Sequence, residues 1–365
     1  MMMSDINIDK NVYLLGAGFS KEIGLPLQDE FLLIAQEVFF KNPKLFKHFE
    51  RVFEYRDKLT RMKKYLSYPL LNLEQLFNLI EMDIFYSNDE SIENVKRDFI
   101  KLVCDVIIDK TPNPFINNES GRLQNNPIYD LYIYFIKLLI NNDKYKLKLY
   151  NDTIISFNYD LVLEGAVSVY NWKRSNQAKH SDRVADNFIR FNTLFGKGNI
   201  IIDHVSNYFI KNRPNSYFPE ANLFSTSNNA IKLIKLHGSI NWKNTDDKSI
   251  FIVPPTWNKS DARIRLLWYE AYKELIGAKR IIFIGYSFPE TDIYVRSLLG
   301  LALNENSILQ NIYFINPDKE IAKKICLSLL DKYFEKYCAY VEMKFSDFIF
   351  HGQSIMEKIN RSKSP

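Results

Sequence analysis

Short apolar runs that stop at glycine, asparagine or histidine recur along the chain, and between them apolar residues fall at helical spacing. Val12–Leu15 is the first run, the signal of a buried strand, and Gly16-Ala17-Gly18 ends it in a tight turn. Ser20–Ile23 can open a helix, which Gly24 and Pro26 cut short. From Phe31 to about Ile140 the spacing is helical. Phe31, Ile34, Ala35, Val38 and Phe39 form one set; Leu73, Leu76, Phe77 and Ile80 a second; Val95, Phe99, Leu102, Val103 and Val106 a third. Each set gathers its apolar side chains on one face, as packed helices do. The most apolar stretch, Ile128–Ile140, reads as a buried helix.

Five more strands follow from the same pattern: Thr153–Phe157, Ile231–Leu236, Ile250–Val253, Arg280–Ile284 and Asn311–Ile315, with a helix over Ala262–Ala278. Short apolar strands alternating with helices predict an α/β fold, a Rossmann-like parallel sheet with helices on both faces. The expected organisation is a core of residues 11–30, 151–165 and 231–345, a large helical insertion over 31–150, a second insertion over 166–230 and a C-terminal tail over 346–365. Glu164–Asn229, mixed and polar, gives no firm element.

Composition narrows the classes. A formal net charge of +5 over 365 residues is mild. No run of five basic residues exists, the densest stretch being Lys58–Lys64, so direct nucleic-acid binding is not expected. The cysteines, Cys104, Cys326 and Cys338, are far apart and include no C-x-x-C pair, against a disulfide framework or a four-cysteine zinc site. Met1–Lys10 lacks the apolar core of a signal peptide, and the apolar runs are too short to cross a bilayer. The expectation is a soluble cytoplasmic protein.

The chemistry gathers at strand ends. Gly16-Ala17-Gly18, Asn158-Tyr159-Asp160, His237-Gly238, Gly285-Tyr286-Ser287 and Asn316 each follow a strand, and in open parallel sheets ligands bind at the carboxyl ends of strands. Taken singly, each has a plain structural use. The glycine loop lacks the third glycine of a dehydrogenase fingerprint, since Lys21 holds that position and the next glycine is Gly24. Asn158 and Asp160 can cap a helix starting at Leu161, His237 can be a structural histidine, and Asn316-Pro317-Asp318 can start a helix.

Together and in this order, Gly-Ala-Gly-Phe-Ser at 16–20, Phe-Asn-Tyr-Asp at 157–160, Leu-His-Gly-Ser at 236–239, Gly-Tyr-Ser at 285–287 and Ile-Asn-Pro at 315–317 resemble the sirtuin-like family. The resemblance implies NAD as ligand. Gly16, Ala17, Gly18 and Ser20 would face its diphosphate, and Asn158 and Asp160 its nicotinamide end. His237 would be the catalytic histidine, Gly285 and Ser287 would contact ribose or phosphate, and Asn316 would hold the adenosine ribose. Two departures bear on the reaction. The Gly-Ile-Pro-Asp-Phe-Arg stretch of sirtuin deacylases is replaced by Gly24-Leu25-Pro26-Leu27-Gln28-Asp29, and the four-cysteine zinc module cannot be built. In both respects the chain is similar to the sirtuin-like proteins of bacterial antiphage defence, which degrade NAD when triggered. That resemblance implies an NAD glycohydrolase with Asn158 and His237 as catalytic residues, NAD as substrate and no metal. It also implies control by homo-oligomer assembly or by a partner such as a HerA-type ATPase, a short Argonaute being the weaker alternative. The competing expectations are an NAD-dependent protein deacylase and a non-catalytic nucleotide-sensing subunit.

Overall fold

The computed structural model describes residues 10–62, 73–87, 89–141, 152–177, 191–193, 200–202, 231–253, 264–289, 292–320, 323, 335–352 and 354. Residues 1–9, Lys63 and Lys64, much of 166–230, Pro254-Pro255, Cys326 and most of the expected tail lie outside them.

Seven parallel strands form the main sheet. They are β1 (Asn11–Leu15), β4 (Thr153–Ser156), β5 (Phe191–Thr193), β7 (Ile231–Lys235), β10 (Arg280–Ile284), β11 (Asn311–Asn316) and β12 (Cys338–Glu342), in the spatial order β12-β11-β10-β1-β4-β7-β5. The strands read as unbroken apolar runs because both faces are covered. Side chains alternate across a strand, so Tyr13 and Leu15 enter one core while Val12 and Leu14 enter the other. The same division separates Ile282 and Ile284 from Ile281 and Phe283, and Tyr313 and Ile315 from Ile312 and Phe314.

One face carries the helices between β1 and β4: α2 (Phe31–Lys41), α3 (His48–Met62), α4 (Leu73–Ser87), α5 (Glu90–Lys110) and α6 (Asp130–Asn141), joined by α7 (Val162–Gln177). The other face carries α8 (Arg265–Ile276) and α9 (Ile293–Glu305). The three helical stripes of the sequence face the core in α2, α4 and α5, with Ile34 and Phe39 only partly buried at its margin, and Cys104 is buried with them. A short hairpin, β2 (Phe115–Asn117) with β3 (Leu123–Asn125), interrupts the helices.

Two differences from the sequence reading have clear causes. Ile250–Val253 supplies β9 (Ile250–Ile252), which pairs antiparallel with β8 (Gly238–Asn244) in a separate three-stranded sheet whose other edge is β6 (Ile200–Ile202). A run of three apolar residues does not carry the direction of its pairing. The mixed stretch after Glu164 supplies α7 and β5, which extends the main sheet beyond β7. Asp160 Oδ1 accepts from Val162 N at 3.0 Å, the capping that starts α7.

The chain order sets the place of the site. After β1 the strands are added on one side, as β4, β7 and β5; the chain then returns to the other side of β1 for β10, β11 and β12. The order therefore reverses at β1, and a ligand crevice forms at the carboxyl end of such a switch point.

Candidate functional site

Parallel register brings the strand ends level. Leu15 lies opposite Ser156 and Ile284, Ser156 opposite Lys235, and Ile284 opposite Ile315. The residues that follow, Gly16, Phe157, Leu236, Gly285 and Asn316, therefore line one edge of the sheet. All five expected site segments lie there.

The glycine loop and the Gly285 turn are locked together by backbone. Gly16 N donates to Ile284 O at 3.0 Å, and Gly18 N donates to Gly285 O at 2.8 Å. A Cβ on Gly18 would stand 2.7 Å from Gly285 Cα, and one on Gly285 only 2.4 Å from Gly18 C. Gly285 also has φ of 61°, in the left-handed region. The glycines let two turns interpenetrate. Phe19 and Ser20, in the short helix α1 (Ala17–Lys21), are buried beneath this contact.

Asn158 ties the second segment to the first. Its Nδ2 donates to Gly16 O at 2.9 Å and to Ser20 Oγ at 3.2 Å. Asp160 is buried at the start of α7. Burial pushes its carboxyl up from the ordinary range, while the Lys235 ammonium and hydrogen bonds from Val162 N and the Ser20 hydroxyl pull the other way.

His237, 4% exposed, follows β7 at the turn into β8. Its Nδ1 lies 3.2 Å from Phe157 O. A carbonyl can only accept, so Nδ1 is the donor in this contact, and when the ring is neutral Nε2 is its basic nitrogen. Phe157, Tyr159 and Trp268 surround the ring at centroid distances of 5.6, 6.2 and 6.3 Å. Gly238, with φ of 81°, lets the β8–β9 sheet close on this turn, since a Cβ there would meet Phe251 O at 2.6 Å.

The remaining expected residues are less enclosed. Ser287 is exposed beside Tyr286, which stacks on Phe157 at 4.3 Å and donates to Asp292 Oδ2 at 2.5 Å. Asn316 is half-buried at the end of β11, and its Oδ1 accepts from Asp318 N at 2.9 Å. Sequence reasoning missed the charged layer beneath the site. Lys235 and Glu164 form a buried ion pair at 3.1 Å. Each is a lone charge in an apolar run, Ile234-Lys235-Leu236 and Leu163-Glu164-Gly165-Ala166, and that was the available signal.

Among the described residues there is no group of three His, Cys, Asp or Glu side chains that could hold a metal ion, and no helix long and apolar enough to cross a membrane.

A family model described as "SIR2-like domain" matches residues 152–338, half of the chain. The match takes in Asn158, Asp160, His237, Gly285, Ser287 and Asn316. Solved structures of similar fold include a Sir2 homolog–NAD complex at 13% identity, covering 96% of this chain and 90% of that one with a TM-score of 0.39. A mutant Sir2 homologue with 2'-O-acetyl ADP ribose has 13% identity, coverage of 98% and 95%, and a TM-score of 0.36. Sir2 bound to an acetylated peptide has 12% identity, coverage of 95% and 92%, and a TM-score of 0.38. No curated protein matches the chain.

Proposed function

The chain belongs to the SIR2-like domain family, and from that premise we propose that it is an NAD glycohydrolase, cleaving the nicotinamide–ribose bond to give nicotinamide and ADP-ribose. The observation that carries the reading is the contact of His237 Nδ1 with Phe157 O. It sets the basic Nε2 on the ring of a residue held against the segment that carries Asn158, whose own amide is fixed by Gly16 and Ser20.

The chemistry needs little more. Nicotinamide is cationic in NAD, so it departs with the electron pair of the broken C–N bond and without being protonated. The ribose left behind resembles an oxocarbenium ion. Water forms the new bond to the anomeric carbon, oriented by Asn158, and its proton passes to His237. Asp160 favours the developing positive charge or holds the carboxamide. Gly16, Ala17, Gly18 and Ser20 face the diphosphate, Gly285 and Ser287 ribose or phosphate, and Asn316 the adenosine ribose. The resemblance to antiphage-defence proteins supports a triggered, NAD-depleting effector of abortive infection in the cytoplasm. Such an enzyme must be restrained, and the expected restraint is homo-oligomer assembly or a partner such as a HerA-type ATPase.

Incubation with NAD, with and without the products of neighbouring genes, followed by product identification, tests the reading. Free ADP-ribose is expected. Asn158→Ala and His237→Ala should each lower turnover by at least about 100-fold, the size of a general acid–base contribution, with the melting transition retained. Full activity in both variants removes the assignment of the site. O-acyl-ADP-ribose, formed with an acylated peptide, makes the protein a deacylase. NAD bound without turnover under activating conditions makes it a sensor.

A further inference from the structure

Beneath Asn158, Asp160 and His237 lies a buried cation whose contacts go to the segments carrying them and to the first turn of α7. Lys235 ends β7 with its side chain 4% exposed, against 3% for Glu164. Its Nζ donates to Asp160 O at 2.5 Å, to Ser239 Oγ at 2.7 Å and to Glu164 Oε1 at 3.1 Å. Ser239 Oγ in turn donates to Tyr159 O at 3.2 Å. One ammonium thus joins the Phe157–Asp160 loop, the turn containing His237 and the first turn of α7. Three protons meet three acceptors, which satisfies the group.

Stability alone is a poor reason for this pair. Removing two charges from water costs about as much as their attraction returns, and an apolar pair of similar volume holds a core equally well. The pair does bring a fixed positive charge to Asp160. Burial raises the Asp160 carboxyl, and Lys235 is the strongest opposing influence. The other groups facing Asp160 are neutral donors or acids: Ser20 on α1, Glu164 on α7, Tyr129 in the short 3-10 turn Pro127–Tyr129, and Tyr132 in the first turn of α6.

We infer that Lys235 is a positioning residue for the reaction proposed above: its buried ammonium holds the Asn158–Asp160 loop against the His237 turn. The inference rests on the NAD reading of the site. Lys235 need not touch NAD; it acts through Asp160, Tyr159 and Ser239.

The test compares wild type with Lys235→Met and with Lys235→Met/Glu164→Gln, the double variant removing both charges so that no unpaired carboxylate is left to unfold the protein. Steady-state NAD cleavage is measured from pH 5 to 9, with melting temperature and NAD affinity alongside. In the folded double variant kcat should fall at least tenfold, with NAD affinity changed less. The acidic limb of kcat should move to higher pH, because Lys235 no longer opposes the upward push of burial on the Asp160 carboxyl. A folded double variant with the wild-type kcat and pH profile overturns the role of Lys235 while leaving the NADase reading in place. A wild-type protein that neither binds nor cleaves NAD removes the NADase reading, and the inference falls with it. If wild type binds NAD without cleaving it, the same shift must appear in the pH dependence of affinity, and its absence overturns the inference.

Discussion

Gly285 performs two tasks that no other residue type can combine. Its φ of 61° is open to glycine at little cost, and its missing side chain admits the Gly18 carbonyl carbon to within 2.4 Å of where a Cβ would stand. Gly24 has the first feature without the second, with φ of 99° and open space around it. Gly24→Ala should therefore cost about 1–3 kcal/mol of backbone strain. Gly285→Ala should add a further ~1–3 kcal/mol of overpacking to that strain and push the glycine loop away from β10. Urea midpoints of the two variants check this, and equal losses would show that the two turns do not depend on each other. The comparison also revises what the first loop means. On sequence alone, Gly16 and Gly18 make room for a diphosphate; in the structure they first make room for the turn at 285–286, and any diphosphate then meets a surface the two turns share.

Gly165 poses a similar question one level up. A glycine in a helix interior costs about 1 kcal/mol relative to alanine, yet it sits in the first turns of α7, buried on all sides. A Cβ there would stand 2.9 Å from Tyr129 Cε1, and Tyr129 is itself pinned by its hydroxyl to Pro112 O at 2.9 Å. The glycine lets the turn that leads into α6 lie close against α7, and α7 in turn carries Glu164 under the site. Gly165→Ala should therefore destabilise by about 1–3 kcal/mol despite the gain in helix propensity. Gly165→Ala on a Tyr129→Leu background should lose less, and thermal or urea unfolding of the two pairs measures the difference. A stabilised Gly165→Ala single variant would mean that α6 can simply move away.

At this scale the sequence was readable where burial leaves a period. The stripes of α2, α4 and α5 carry one, and the core strands β1, β4, β7, β10 and β11, covered on both faces, show instead as short apolar runs. It was unreadable where the partner decides. Three residues, Phe191–Thr193, become a strand because β7 offers an edge, and Ile250–Ile252 turns away from the main sheet because β8 doubles back after only two residues. The candidate segments were legible as strand ends, and the parallel register brings those ends level. The Lys235–Glu164 pair was not, because its two members lie 71 residues apart and only the fold sets them together.

For the whole molecule the sheet separates chemistry from anchorage. The expected site residues lie at the carboxyl edge, and the opposite edge holds its own buried ionic groups. There Lys10, Lys232 and Thr153 converge on Glu274 at 2.5, 2.6 and 2.5 Å. Burial raises that carboxyl, but these partners outweigh it and hold it below its ordinary value. Asp152, just before β4, has the opposite fate. Asn11 donates to it from its backbone at 3.0 Å and from its amide at 3.1 and 3.2 Å. Burial still prevails over these bonds and over the charges of Arg280 and Lys10, and pushes the carboxyl from 3.8 up to about 6. The folded protein therefore holds the Asp152 proton more tightly than the unfolded chain does. By linkage, its contribution to stability is fully present below about pH 4 and is lost as pH rises through about 6. At roughly 1.4 kcal/mol per pH unit of difference, the loss is on the order of 3 kcal/mol. Asp152→Asn removes the titration and leaves the other carboxylates as they are, so the difference between wild type and variant isolates this group. From about pH 4 to about pH 6 wild type should lose stability relative to Asp152→Asn, and the difference should level off above pH 6, where the carboxyl is ionised in both the folded and the unfolded chain. Chemical denaturation at several pH values measures the difference. A difference that stays constant over that range would mean that the Asn11 bonds, not burial, govern Asp152.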